Sequence, residues 1–227
     1  MNIAIIPARI GSKRIPKKNI KIFHGKPIIY YSIKAAKKTK LFKDIICSTD
    51  DSEIVKIAEK YGAKCPFLRP KRLSNDFSST SDVINHTIDF YNKKGKKLNF
   101  ICCIYPTAPF IRTKKIIEGY DKILNEKWKF VFSATKNPLS VLRTFEKKFN
   151  GSLKMLFPSN FKRRSQDLKN TYFDAAQFYW GSANSWKKNN NLFNFYSTIV
   201  EIPYHESIDI DTMEDWKLAE LIYKNKK

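Results

Sequence analysis

Five cations, Arg9, Lys13, Arg14, Lys17 and Lys18, crowd into ten residues of the stretch IIPARIGSKRIPKKN (residues 5–19), directly after an apolar run. A small-residue turn, Gly11–Ser12, lies among them. Backbone N–H groups in such a turn can form an anion-binding nest. Lys and Arg add charge-assisted hydrogen bonds, Arg through its bidentate fork. These residue types together suit a polyphosphate. Neither G-x-x-x-x-G-K-[ST] nor G-x-G-x-x-G occurs here, so the Walker and dinucleotide-binding readings both fail. A solvated basic loop is the plain alternative in so basic a chain. The position of the cations, straight after the first core strand, weighs against it.

A second cluster is SIDIDT (residues 207–212). In an extended segment Asp209 and Asp211 project to one side, while Ile208 and Ile210 face the other. Two carboxylates on one face suit Mg²⁺, which takes one or two carboxylates plus substrate phosphates and water. Asp211–Thr212 could instead simply open the last helix, where acids are favoured. That explains Asp211 alone better than it explains the pair, whose mutual repulsion is costly without a cation nearby. The four cysteines, Cys47, Cys65, Cys102 and Cys103, show no C-x-x-C spacing and read as reduced and buried.

The elements that must position these groups alternate along the chain. Strand readings at 2–8, 44–50, 99–109 and 129–135 interleave with helix readings at 27–40, 51–62, 79–95 and 113–126. This is the pattern of an α/β fold, a mostly parallel sheet flanked by helices. Ligands of such sheets bind outside the carboxyl ends of the strands. The loops there read ARIGSKRIPKKN, STDDSE, LRPKRLSNDFSST and YPTAPFIR. From 136 to 181 Pro, Asn and Gly break the rhythm, which predicts a small β-rich arm inserted into a single domain spanning 1–227. In YFDAAQFYWGS, Phe178 and Trp180 read as core. A strand within 193–212 and a helix over 212–226, with Thr212 and Asp215 in capping-box spacing, close the chain.

Hydrophobic residues make up 42% and aromatics 14% of the 227 residues, enough for a sizeable core. No apolar stretch approaches a membrane span, and MNIAIIPAR lacks the basic start of a signal peptide, so a cytoplasmic location is expected, with no membrane partner. The net charge of +22 could suggest nucleic acid. The lysines are spread along the whole chain rather than gathered in a stripe, so little weight falls on that reading.

Four ordered stretches, IIPARIGSKRIPKKN, LRP…LSND, YPTAPF-R and SIDIDTMEDW, resemble the cytidylyltransferases that activate nine-carbon sugar acids, the family containing the CMP-N-acetylneuraminate synthetases. The resemblance runs from residue 3 to about 222. RRSQDL…YFDAAQFYWGS, IPYHESIDIDT and Tyr105 look most like the members that use pseudaminic acid. It implies a Rossmann-like nucleotidyltransferase fold and the reaction of CTP with a nonulosonic acid to give a CMP-sugar and pyrophosphate. Arg9, Gly11, Ser12, Lys18 and Asn19, with Lys13 as a catalytic cation, match the family's phosphate loop. Arg69, Asp76, Ser79 and Thr80 match positions near cytosine and ribose. Tyr105 and Thr107, with Pro106 between them, match the floor of the sugar pocket, and Arg164 and Gln166 match residues reaching for the sugar acid. Asp174 and Gln177 are further candidate sugar contacts. Asp209 and Asp211 match a catalytic Mg²⁺-binding pair.

The resemblance also implies a homodimer in which an arm around Phe161–Asp167 carries Arg164 toward the partner's site. Two departures stand out. Ile10–Gly11 replaces the usual Gly-Gly, and Ala176 stands where Gly is frequent. The alternatives are N-acetylneuraminate or legionaminate as substrate, the eight-carbon Kdo, an inactive nucleotide-binding relative, and, from a different class, a basic nucleic-acid-binding protein.

Overall fold

The computed structural model describes residues 1–125, 127–138, 141–188 and 191–225. In chain order the elements are β1 (Ile3–Pro7), a short hairpin of β2 (Ile22–Phe23) and β3 (Lys26–Pro27), α1 (Ile29–Thr39), β4 (Asp44–Ser48), α2 (Ser52–Lys60), α3 (Thr80–Lys93), β5 (Phe100–Ile104), α4 (Thr113–Asn125) and β6 (Phe130–Lys136). There follow a second hairpin of β7 (Phe145–Lys147) and β8 (Leu153–Met155), then β9 (Tyr172–Ser182), α5 (Ala183–Lys187), β10 (Ser197–Glu201) and α6 (Met213–Lys224). The helices expected over 113–126 and 212–226 are present; residues 126 and 226 themselves lie outside the described residues.

The main sheet has the order β10-β6-β9-β5-β1-β4. β1 pairs in parallel with β4 and β5, and β10 with β6, while β9 runs antiparallel between β5 and β6. Strand alternation sends Ala4, Ile6 and Cys102 to one face, against α1, α2 and α4, and Ile3, Ile5 and Cys103 to the other, against α3 and α5. A third cluster packs Phe23, Phe110, Ile210 and Trp216 beside the first hairpin. Phe178 and Trp180 are fully buried, and all four cysteines are free thiols.

The helix starts obey their local chemistry. The Asp51 carboxylate accepts the Glu53 and Ile54 N–H groups, and both Ser79–Asp82 and Thr212–Asp215 form full capping boxes. One stretch differs from the sequence reading. The excursion ends before β9, because Tyr172–Ser182 is a central strand and not part of an arm. What leaves the sheet is the β7–β8 hairpin with its flanking turns. β10 stops at Glu201, since Pro203 cannot supply a ladder N–H, and residues 207–211 lie outside any strand. In the opening loop neither Ile10 nor Gly11 has positive φ; the left-handed residue is Lys17, at φ 51°. The Ile10 substitution therefore leaves that turn unstrained.

β9 packs tightly at its C-terminal end. A Cβ on Gly181 would sit 2.7 Å from both Phe130 Cε1 and Trp186 Nε1. Gly181→Ala should therefore destabilise the fold by about 1–3 kcal/mol, the usual penalty for overpacking. Urea denaturation checks this; an unchanged midpoint would contradict the packing described.

Candidate active site

β1 and β5 end at one cleft of about 510 Å³. The loop after β1 supplies Arg9, Ser12, Lys13, Arg14, Lys18 and Asn19 to its lining. The segment between α2 and α3 supplies Arg69, Asn75, Asp76, Ser78, Ser79 and Thr80, and the turn after β5 adds Tyr105, Pro106 and Thr107. Asp211 closes the rim.

Backbone anchors shape the basic loop. Ile10 N–H donates to Asp50 Oδ1 at 3.2 Å, and buried Asn19 donates through Nδ2 to the Arg9 carbonyl at 2.7 Å. Asn19 thus acts on the loop from within. Lys18, only 17% exposed, donates to the Ile210 carbonyl at 2.6 Å and to Asp211 Oδ1 at 3.1 Å. That joins the first loop to the SIDID segment across nearly the whole chain length. Arg14 reaches the other Asp211 oxygen at 2.9 Å.

Asp76 does the same on the opposite side. It pairs with Arg9 at 2.7 Å and Lys13 at 2.6 Å, and the bonds from Lys13 and Arg9 hold its carboxyl below the ordinary value. All three side chains are more than a third exposed, so such pairs are weak and exchange easily for another anion. Lys17 pairs away from the cleft, with Glu53 at 2.6 Å.

Arg69 is different. It is 5% exposed, and burial lowers its pKa, with Asp50 opposing that shift. Its Nε donates to Ser74 Oγ at 3.3 Å, but Nη2 makes no hydrogen bond, and the Asp50 carboxylate stands 3.9 Å away. A buried charged donor left open beside a cleft is costly until an acceptor arrives.

At the far wall Tyr105 Oη and Thr80 Oγ1 share a hydrogen bond of 3.0 Å, and the Tyr105 ring tilts against Tyr179, centroids 5.2 Å apart. Burial pushes the Tyr105 phenol up to about 12, so it stays protonated at neutral pH. Tyr179 donates to Asp174 Oδ2 at 2.5 Å, and burial raises the Asp174 pKa. Ser79 is occupied as the α3 cap while bordering the cleft.

Six of the residues singled out in the sequence do not line this cleft. Gly11 is exposed on the loop with open space around it. Gln177 is buried and donates to the Glu206 carbonyl at 2.6 Å. Asp174 lies behind Tyr179. Arg164 and Gln166 are exposed on the excursion, where Arg164 lies 3.7 Å from Asp167. Asp209 keeps access to water, yet surrounding protein desolvates its carboxyl and Asp211 adds negative charge, so its pKa is raised. Asp209 and Asp211 therefore feel one another, but no group of three or more His, Cys, Asp or Glu with metal-ligand geometry exists among the described residues. Asn75 and Ser78 border the cleft without having been singled out. Their only signal was membership of a hydroxyl- and amide-rich strand-end loop.

A site built from strand-end cations, one buried unsatisfied arginine and a hydroxyl-lined wall can hold a phosphorylated ligand with a polar ring. Comparison with known proteins agrees. A family model described as Cytidylyltransferase matches residues 3–219. A pseudaminic acid cytidylyltransferase from Campylobacter jejuni subsp. jejuni (strain 81-176) is 40% identical over 223 residues, covering 98% of this chain and 96% of the relative. The CMP-N,N'-diacetyllegionaminic acid synthase of Legionella pneumophila is 31% identical over 236 residues, covering 96% and 94%. In fold the chain is similar to a CMP:2-keto-3-deoxy-manno-octonic acid synthetase solved with CTP, at TM-score 0.72 and 13% identity, covering 100% of this chain and 99% of that one. With the family profile spanning nearly every residue that builds the cleft, the chain belongs to the cytidylyltransferase family.

Proposed function

We propose that the protein transfers the cytidylyl group of CTP to a nine-carbon sugar acid, pseudaminic acid first among them, releasing pyrophosphate. The observation that carries this reading is one cleft that gathers four loop cations, buried Arg69 and a hydroxyl-lined wall. The sugar assignment rests on relatives at 40% and 39% identity that carry that activity in their names.

In this reading Arg9, Lys13, Arg14 and Lys18 exchange Asp76 and Asp211 for the triphosphate. Lys13, 80% exposed and mobile enough to follow charge, neutralises the leaving pyrophosphate. Arg69, Ser78 and Thr80 orient the nucleoside, and Tyr105 and Thr107 form the wall for the sugar. The anomeric hydroxyl attacks the α-phosphorus in line. Asp209 and Asp211 would hold Mg²⁺, which would supply charge neutralisation to the phosphates. A carboxylate whose pKa is raised beside a second carboxylate fits that role, because a cation would relieve both desolvation and repulsion. One of the two aspartates helps to take the hydroxyl proton.

The working form is a cytoplasmic homodimer. Fully exposed Phe149, with exposed Leu153, Leu156 and Phe161, supports an arm that covers itself on a second copy. Arg164 and Gln166, outside their own chain's cleft, would then serve the partner's sugar site. Four of the five loop cations border one cleft, which supports a compact anion over an extended nucleic-acid strand.

Pyrophosphate release from CTP and Mg²⁺ should occur with pseudaminic acid and be far slower with N-acetylneuraminic or legionaminic acid. Lys13→Ala should lower kcat/KM by about 10²–10³, the loss of one charge-stabilising group. Asp211→Ala should abolish turnover. Release with another acid alone would keep the chemistry and overturn the substrate; release with none would overturn the reaction.

Carboxyl-carbon NMR titration gives an independent check. Asp76 should titrate below 3.8 and Asp209 above it, with Mg²⁺ moving the Asp209 midpoint down. The two act on stability with opposite sign. Asp76 contributes stability above pH 3.8 that is lost as the pH falls through its lower folded value. Asp209 favours the fold when protonated, and that contribution is lost as pH rises through its raised value. An Asp209 midpoint unmoved by Mg²⁺ would argue against the metal role.

A further inference from the structure

β9 does not follow β6 evenly. Phe132 pairs with Tyr179 and the next pair is Ala134 with Asp174, so five steps along β9 match two along β6. The residues between form a bulge, with Ala176 in the left-handed region at φ 49°. The bulge removes Gln177 and Phe178 from backbone pairing with β6. Ser133, wholly buried on β6, faces the gap. Its Oγ accepts both freed N–H groups, from Gln177 at 3.1 Å and Phe178 at 3.2 Å. Asp174 Oδ1 accepts Ala176 N–H at 2.9 Å and completes the loop of the bulge.

Three parts of the site hang on this bulge. The Gln177 carbonyl accepts the Tyr105 N–H at 2.9 Å, which fixes the residue at the start of the sugar wall. Gln177 Nε2 grips the Glu206 carbonyl at 2.6 Å, while the Glu206 carboxylate pairs with Arg112. From there the chain runs directly into Asp209 and Asp211. Asp174, at the other end of the bulge, anchors Tyr179, which supports the Tyr105 ring. The phosphate loop after β1 makes no contact of this kind with the bulge among the described residues.

We infer that Ser133 is a positioning residue for the sugar-acid half of the site: one buried hydroxyl holds the β9 bulge in the register that sets Tyr105 at the sugar wall. This rests on the proposed reaction for its kinetic consequence, though not for its structural one. A small hydroxyl is required because the gap must hold an acceptor for two N–H groups on a side chain short enough to stay within the sheet.

The test compares Ser133→Ala, Ser133→Thr and a control, Tyr91→Phe, which removes a buried bond to Asp44 on the far side of the sheet from the bulge. Ser133→Ala should raise KM for the sugar acid by about tenfold, the order of one lost hydrogen bond, and leave KM for CTP within about twofold. The Gln177, Phe178 and Tyr105 amides should exchange with deuterium at least about tenfold faster than in the parent protein. Ser133→Thr, which keeps the hydroxyl, should restore both, and Tyr91→Phe should lower Tm without moving either KM. Equal changes in the two KM values, unchanged exchange at Gln177 and Phe178, or the same KM shift in Tyr91→Phe would overturn the assignment. If Ser133→Thr does not fold, exchange in Ser133→Ala decides alone. If the parent protein turns over no sugar acid, the reaction is overturned, and the exchange comparison still decides the role of Ser133.

Discussion

Mutual repulsion among cations at the end of β1 is the constraint on which the rest of the site depends. Arg9, Lys13, Arg14 and Lys18 border one cleft, and charges so close cannot be left together without counter-charge. The chain supplies it from two remote segments. Asp76 comes from the loop before α3, and Asp211 from the approach to α6. Each carboxylate binds two cations. The Asp76 pairs are exposed enough to be weak, and weak internal pairs suit a site for a highly charged substrate. They keep the loop ordered and give way to a better anion at little cost.

Arg69 completes the arrangement from below. Its burial lowers its pKa, and its Nη2, without a hydrogen bond, lies 3.9 Å from the Asp50 carboxylate. The opposite wall is held by other means. β9 inserts antiparallel between β5 and β6, and its bulge grips both Tyr105 and Glu206. The basic loop after β1 and the Tyr105 wall therefore hang on different strands, and Lys18 ties the basic loop to Ile210 and Asp211.

Much of this was legible in the residues. The apolar runs at 3–7, 44–48 and 100–104 are short and bounded by turn chemistry, and they became β1, β4 and β5, of which β1 and β5 end at the cleft. Thr212 and Asp215 announced the last helix by their spacing and formed the box. Other features left no local trace. A buried aromatic run such as that of β9 reads the same in either direction, so its antiparallel place between β5 and β6 was invisible. Ser133 in FVFSAT looks like any small residue in a strand until its partners 44 and 45 positions away are known. The left-handed turn fell on Lys17, a residue type with no preference for it, and not on Gly11. Asp209 matched its partner in type and spacing, yet only Asp211 borders the cleft.

In the proposed reaction the β1 loop binds a triphosphate by releasing the carboxylates of Asp76 and Asp211. Calorimetric titration of CTP against CMP, at low and high salt without sugar acid, tests it most directly. The account predicts that CTP binds at least about tenfold more tightly than CMP, and that this advantage shrinks as salt screens the β- and γ-phosphate contacts. Equal affinities for CTP and CMP, unaffected by salt, would contradict it.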